Sequence, residues 1–159
     1  MEVNLTETDV AYIAELLDGE GSFNMGKCYT KNPKHCAKRG FNWEIRISVG
    51  MCDTQALEFV KHKYKKKTNL RPTKSTKGHR TCYFITLYSG EIRRTIDKII
   101  PYLKVKKQQG ILIREAINII GTRSTPKVDK RLGEIRHKIS YLNNPTRVIY
   151  GAAVKSGRV

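Results

Sequence analysis

Residues Asp18-Gly19-Glu20-Gly21 put two carboxylates, separated by one glycine, at the end of an apolar helix-like run, "AYIAELL". Asp and Glu favour the first turn of a helix, whose dipole end is positive, and are disfavoured in the last. A carboxylate beside a free main-chain carbonyl suits a hard divalent cation such as Mg²⁺. Such an ion can activate water and stabilise charge on a phosphate during hydrolysis. A glycine-terminated helix followed by a turn explains the two glycines but not the acids. The Gly-Glu-Gly triplet is no dinucleotide fingerprint, because the segment before it reads as helix rather than strand.

The setting of these acids is strongly basic. Of 159 residues, 31 are Lys or Arg and 14 Asp or Glu, a formal charge of +17. A hydrophobic fraction of 39% with clear apolar periodicity argues against a disordered basic tail. So large an excess costs self-repulsion unless a polyanion covers it, which favours nucleic acid over a membrane surface. The charge is also uneven. Between Gly21 and Gly90 only Glu44, Asp53 and Glu58 are acidic, and residues 59–90 hold none. No run approaches the roughly 18 apolar residues of a membrane span. The start "MEVNLTETDV" lacks the basic and apolar regions of a signal peptide. The expectation is an intracellular protein that is not secreted and works in the DNA-containing compartment of its host, cytoplasm or organelle. Cys28, His35 and Cys36 lack zinc-finger spacing, so reduced, mostly buried thiols are expected.

The elements that must position the acids follow from periodicity. Thr6-Glu7-Thr8-Asp9 matches a capping box opening a helix over residues 6–18. In "NWEIRISVGM", Ile45, Ile47 and Val49 alternate with Glu44, Arg46 and Ser48, which predicts a half-buried antiparallel strand. "TCYFITLYS" is a second β-rich run, "SFNMGKCYT" a weaker one, and "NLRPTKST" an edge strand because it contains Pro72. Helices are predicted over 53–64, 89–103, 106–121 and about 128–142, the last stopped by Asn143-Asn144-Pro145; the tail 146–159 is undecided. The order is α-β-β-α-β-β-α-α-α, an α+β domain with helices on one sheet face and a basic face left free. A twisted antiparallel ribbon of that kind can enter the major groove of a duplex.

"YIAELLDGEGSF" resembles the signature of the LAGLIDADG homing endonucleases, running Ile13, Ala14, Glu15, Leu16, Leu17, Asp18, Gly19, Glu20, Gly21. The αββαββα order after it is similar to the core of that family, and "PYLKVKKQQ" to its lysine-rich segment. The resemblance covers roughly residues 10–120 and implies one endonuclease domain over 1–159. Its core would span about 7–120, with an antiparallel β-saddle for DNA and extra C-terminal helices over 121–159. One motif copy implies a homodimer, with Ala14, Asp18 and Gly19 at the helix–helix interface and a near-palindromic double-stranded DNA target. The implied metal ligands are Glu20 and the Gly19 carbonyl, with Mg²⁺, Mn²⁺ or Ca²⁺ as occupant. Lys106 would support the scissile phosphate, making Glu20 and Lys106 the catalytic pair. The implied activity is site-specific, metal-dependent double-strand cleavage that promotes intron mobility. The alternatives are an RNA-binding splicing factor (maturase) or a non-catalytic DNA-binding protein on the same fold.

Alternation picks the DNA-facing residues. Arg46 and Ser48 face away from the apolar side, and Arg71, Thr73, Ser75 and Lys77 share a face. Asn24 and Lys27 are assigned to DNA on the first strand, where Gly26 blurs the register. Lys31, Lys34, Lys38, Arg39 and Arg80 are expected to meet phosphates at the flanks. Three positions depart from the family pattern. Glu15 stands where glycine is usual, Glu20 where Asp is commoner, and Gly50, Met51 and Cys52 where some relatives carry polar residues that organise water.

Overall fold

The computed structural model describes residues 3–29, 40–67, 70–73, 80–120, 122 and 125–144. Five helices are described: α1 (Glu7–Glu20), α2 (Thr54–Lys63), α3 (Ser89–Ile99), α4 (Lys107–Ile120) and α5 (Pro126–Asn143). Four strands accompany them: β1 (Gly21–Cys28), β2 (Asn42–Met51), β3 (Arg71–Pro72) and β4 (Tyr83–Tyr88). A short 3₁₀ turn, Ile100–Tyr102, joins α3 to the segment before α4. The α+β order expected from periodicity is the order observed.

The strands form one antiparallel sheet in the order β1-β2-β4-β3. Its register pairs Gly21 with Val49 and Asn24 with Arg46, and Ser48 with Thr86 on the other side of β2. Because side chains alternate along a strand, Phe23, Met25, Ile45, Ile47, Val49, Ile85 and Leu87 fall on one face, and all are buried. They meet the apolar stripes of the helices in a core that includes Ile13, Leu17, Leu57, Ile92, Ile96, Ile113 and Ile135. The opposite face carries Asn24, Arg46, Ser48, Thr86 and Tyr88, none of them buried.

α1 starts as its sequence requires. Thr6 Oγ1 accepts from the Asp9 N–H at 3.2 Å, and the Thr6 N–H donates to Asp9 Oδ2 at 3.0 Å, closing the capping box. Asp9 also receives Lys63 Nζ at 2.8 Å. The Lys63 ammonium and the Thr6 backbone N–H hold the Asp9 carboxyl below its ordinary pKa. Among the described residues no helix is long and apolar enough to cross a membrane.

The cysteines depart from expectation. Cys52 follows β2 and Cys82 precedes β4, and the register that sets Met51 opposite Tyr83 makes them the next cross-strand pair. They are joined in a disulfide with Cα atoms 4.0 Å apart. Cys28 is a free thiol but exposed rather than buried. Cys36 lies outside the described residues.

Candidate active site and nucleic-acid interface

α1 ends where the sheet begins. Gly21 closes the helix at φ −75° and ψ 143°, extended backbone that any residue adopts, and its N–H donates to the Leu17 carbonyl. The left-handed glycine cap common at helix ends is therefore not its role. A Cβ at Gly21 would run into the Leu17 carbonyl and lie 2.7 Å from Leu17 Cα, whereas one at Gly19 would meet nothing within 4 Å. Gly21→Ala is expected to cost about 2 kcal/mol in urea unfolding, because main chain must shift to admit it. Gly19→Ala is expected to leave stability unchanged or raise it by up to about 1 kcal/mol. Equal losses for the two variants would remove the close-approach explanation.

Asp18 and Lys106 cap each other's helices. Asp18 Oδ2 accepts the N–H groups of Lys104 at 2.6 Å and Val105 at 3.2 Å, and Oδ1 accepts that of Lys106 at 2.8 Å. These groups lie just before α4, so the carboxylate sits at that helix's positive end. α1 has no base in its own last turn. Lys106 supplies one from 85 to 89 residues away, its Nζ donating to the carbonyls of Leu17 at 3.0 Å, Gly21 at 2.7 Å and Gly19 at 3.4 Å. Partial burial raises the Asp18 pKa, but the three backbone N–H groups outweigh it and hold the carboxyl below its ordinary value. For Lys106, desolvation pushes the ammonium's pKa down, and the charges of Asp18 and Glu20 only partly oppose it.

Glu20 has a different environment. It is the last residue of α1 and is exposed. Its carboxylate accepts no hydrogen bond and forms no ion pair among the described residues, apart from the longer-range attraction of Lys106. The donors at this point are all hard oxygens, the Glu20 carboxylate and the Gly19 carbonyl, a set that fits Mg²⁺. Among the described residues no group of three or more His, Cys, Asp and Glu converges. A groove beside Lys106 adds Ser22, Asn24, Gln109, Asn143 and Asn144.

The expected interface residues of α1 separate in space. Ala14 is fully buried in the chain's own core, which corrects its placement at a helix–helix contact. Asp18 is engaged by residues 104–106 of its own chain. Gly19 remains open, beside a depression lined by Ala11, Glu15, Asp18, Tyr102, Lys104 and Val105, with Val105 75% exposed.

On the sheet, Asn24, Arg46 and Ser48 share the open face, with Arg71 beside them through its pairing with Phe84. Arg46 pairs with Glu44 at 3.4 Å, and Ser48 Oγ lies 3.0 Å from Thr86 Oγ1. Thr73 is exposed and its hydroxyl donates to the Cys82 carbonyl at 3.0 Å. Arg80 is exposed. Lys27 does not face DNA with Asn24. Paired with Trp43 on the helix-facing side, it lies 4.2 Å from the Phe41 ring centroid and 5.5 Å from that of Trp43. The cause is parity, since Lys27 lies three residues after Asn24 in an unbroken ladder. Lys31, Lys34, Lys38, Arg39, Ser75 and Lys77 lie outside the described residues.

Residues that sequence reasoning missed include Thr86 and Tyr88 on the open face. Their signal was alternation with Ile85 and Leu87, obscured by the apolar character of both sides of β4. Asn143 and Asn144 read only as a helix stop, yet the fold brings them beside Lys106.

No protein-family model and no curated protein matches the sequence. Solved structures do match. The homing endonuclease I-CvuI in complex with the I-CreI target is 17% identical, with 87% of this chain and 83% of that one covered and a TM-score of 0.66. The archaeal intron-encoded homing endonuclease I-Vdi141I complexed with DNA is 19% identical over 86% and 84% of the two chains, with a TM-score of 0.64. The LAGLIDADG homing endonuclease I-SmaMI bound to cleaved DNA is 20% identical over 84% of this chain but only 43% of its own, with a TM-score of 0.59. With its motif helix running into the first strand of a four-stranded antiparallel sheet, this chain has the fold of the LAGLIDADG homing endonucleases.

Proposed function

We propose that this protein is a site-specific DNA endonuclease of the homing type, acting as a homodimer on a near-palindromic duplex and promoting intron mobility by double-strand cleavage. The observation that carries the reading is the junction of α1 and β1. It presents Glu20 exposed, with no hydrogen bond or ion pair among the described residues, at one end of the basic sheet face, and Lys106 anchored beside it. DNA in complex with I-CvuI, I-Vdi141I and I-SmaMI supports the choice of partner. Mg²⁺ held by Glu20 and the Gly19 carbonyl would supply activated water and charge stabilisation at the scissile phosphate. Lys106 keeps the last turn of α1 in place by satisfying its carbonyls and contributes positive charge where the phosphate arrives. The open sheet face receives the duplex, with Asn24, Arg46 and Ser48 toward the groove. The depression around Glu15 and Gly19 is where a second copy of α1 would pack.

The test is cleavage of a pooled library of duplex sites with Mg²⁺ and with EDTA, followed by sequencing of the ends. Discrete metal-dependent double-strand cuts at one near-palindromic sequence are the expected result. Duplex binding without cutting would favour a non-catalytic DNA-binding protein, consistent with the apolar Met51 and disulfide-bonded Cys52 at the end of β2. Tight binding to a structured intron RNA without cutting would favour a splicing factor.

A further inference from the structure

α5 lies outside the αββαββα core, yet it is tied to the sheet at both ends. Near its start, Asp129 Oδ1 accepts from Trp43 Nε1 on β2 at 2.9 Å. At its end, Asn143 Nδ2 donates to the Phe23 carbonyl on β1 at 2.6 Å. Arg136 stands midway, seven residues from each. Seven residues turn a helix through about 700°, only about 20° short of two full turns. Asp129, Arg136 and Asn143 therefore form one stripe along α5. Since the outer two bind the sheet, the stripe carries Arg136 to the edge of β1 between them.

The surroundings of Arg136 agree with that deduction. It joins Asn24, Met25 and Gly26 of β1, together with Arg46, Ser48, Arg71, Thr86 and Tyr88, around one groove on the open sheet face. Arg46, Arg71 and Arg136, from β2, β3 and α5, all line it, and none of the described residues that line it is acidic. Arg46 is partnered by Glu44. Arg136 is exposed and makes no hydrogen bond or ion pair among the described residues. Its neighbour on the helix, Glu134, is engaged by Arg131 at 3.2 Å.

We propose that α5 joins the sheet in the nucleic-acid interface and that Arg136 holds a backbone phosphate of duplex DNA at the β1 edge of the sheet. The division of labour is physical. Strand side chains reach base edges in the groove, while contacts at the rim meet phosphate and set register without reading sequence. A planar guanidinium suits that second task. The proposal rests on the open sheet face being the DNA-binding surface.

The test is duplex binding by fluorescence anisotropy across a range of salt concentrations, for wild type, Arg136→Ala, Arg136→Lys and Arg46→Ala. In the homodimer the substitution removes two phosphate contacts, one per protomer, and is expected to lower the slope of log K against log salt by about 1.8 and weaken binding about sixtyfold at about 0.1 M salt. The loss should be equal for several unrelated sequences, and Arg136→Lys should restore most of the slope. Because Arg136 is exposed and has no partner to lose among the described residues, thermal melting of the Ala variant should match wild type. Wild-type affinity and slope for Arg136→Ala, alongside weakened binding by Arg46→Ala, would overturn the proposal and leave the sheet reading intact. Absence of salt-dependent duplex binding by wild type would overturn both. An Arg136→Ala defect seen only with structured RNA would overturn the assignment to DNA.

Discussion

Glu20→Gln is expected to lower DNA cleavage by at least about a thousandfold while leaving duplex affinity close to wild type. The substitution keeps the side chain's size and one carbonyl oxygen but removes the negative charge that would hold a divalent cation. Metal activation of water and stabilisation of phosphate charge together supply several kcal/mol to such hydrolyses, and each 1.36 kcal/mol is tenfold in rate. Folding should be undisturbed, because Glu20 is exposed and has no partner to lose among the described residues. Binding measured in EDTA should be unchanged or tighter, since a carboxylate facing phosphate repels it when no metal is bound. Cleavage kinetics with Mg²⁺, set beside anisotropy in EDTA, separate the two effects. Wild-type cleavage by this variant would mean that the metal ligand lies elsewhere.

Asp18→Ala is expected to damage both stability and cleavage. Three backbone N–H groups of residues 104–106 lose their acceptor. Water can replace it only in part, so the loss resembles that of a strong helix cap, about 1–2 kcal/mol. In a chain of this size that corresponds to a fall in melting temperature of about 3–8 °C. Lys106 belongs to the released segment, and displacement of a charged group at the site by about 1 Å costs on the order of a hundredfold in rate. The pH dependence has a definite sign. The Asp18 carboxyl titrates below its ordinary 3.8 in the folded chain. Its contribution is therefore present above pH 3.8 and is lost as pH falls through the folded value. Wild type and Asp18→Asn should differ in melting temperature at about pH 7, and the gap should narrow as pH falls below 3.8. A gap that did not narrow at all in acid would show that the charge of Asp18 is not what anchors the segment.

Much of this architecture is written in local pattern. The capping box at Thr6 and Asp9 closes as its spacing requires, because both partners lie within one helical turn. Alternation at Ile45, Ile47 and Val49 assigns β2 its two faces, because side chains point to opposite sides of a strand with period two. The order of helices and strands follows from the same short-range signals. So does the placement of Glu20 at the end of an amphipathic helix.

What the fold alone decides involves partners distant in sequence. Lys27 was assigned to DNA because Gly26 obscured the register of β1. The ladder with β2 puts it on the other side, over Phe41 and Trp43. Ala14 is small enough for a helix–helix contact, but the direction its face takes depends on where the sheet lies beneath α1. The role of Asp18 had no local explanation, since its partners are 86 to 88 residues away. The pairing of Cys52 with Cys82 and the convergence of Arg46, Arg71 and Arg136 also join different elements. The sequence by itself determined the elements, their faces and the position of the acids, because hydrophobic periodicity and capping act over a few residues. Only the tertiary structure decided which helix Asp18 caps, which carbonyls Lys106 holds and which arginines share a groove, because those depend on how the elements pack.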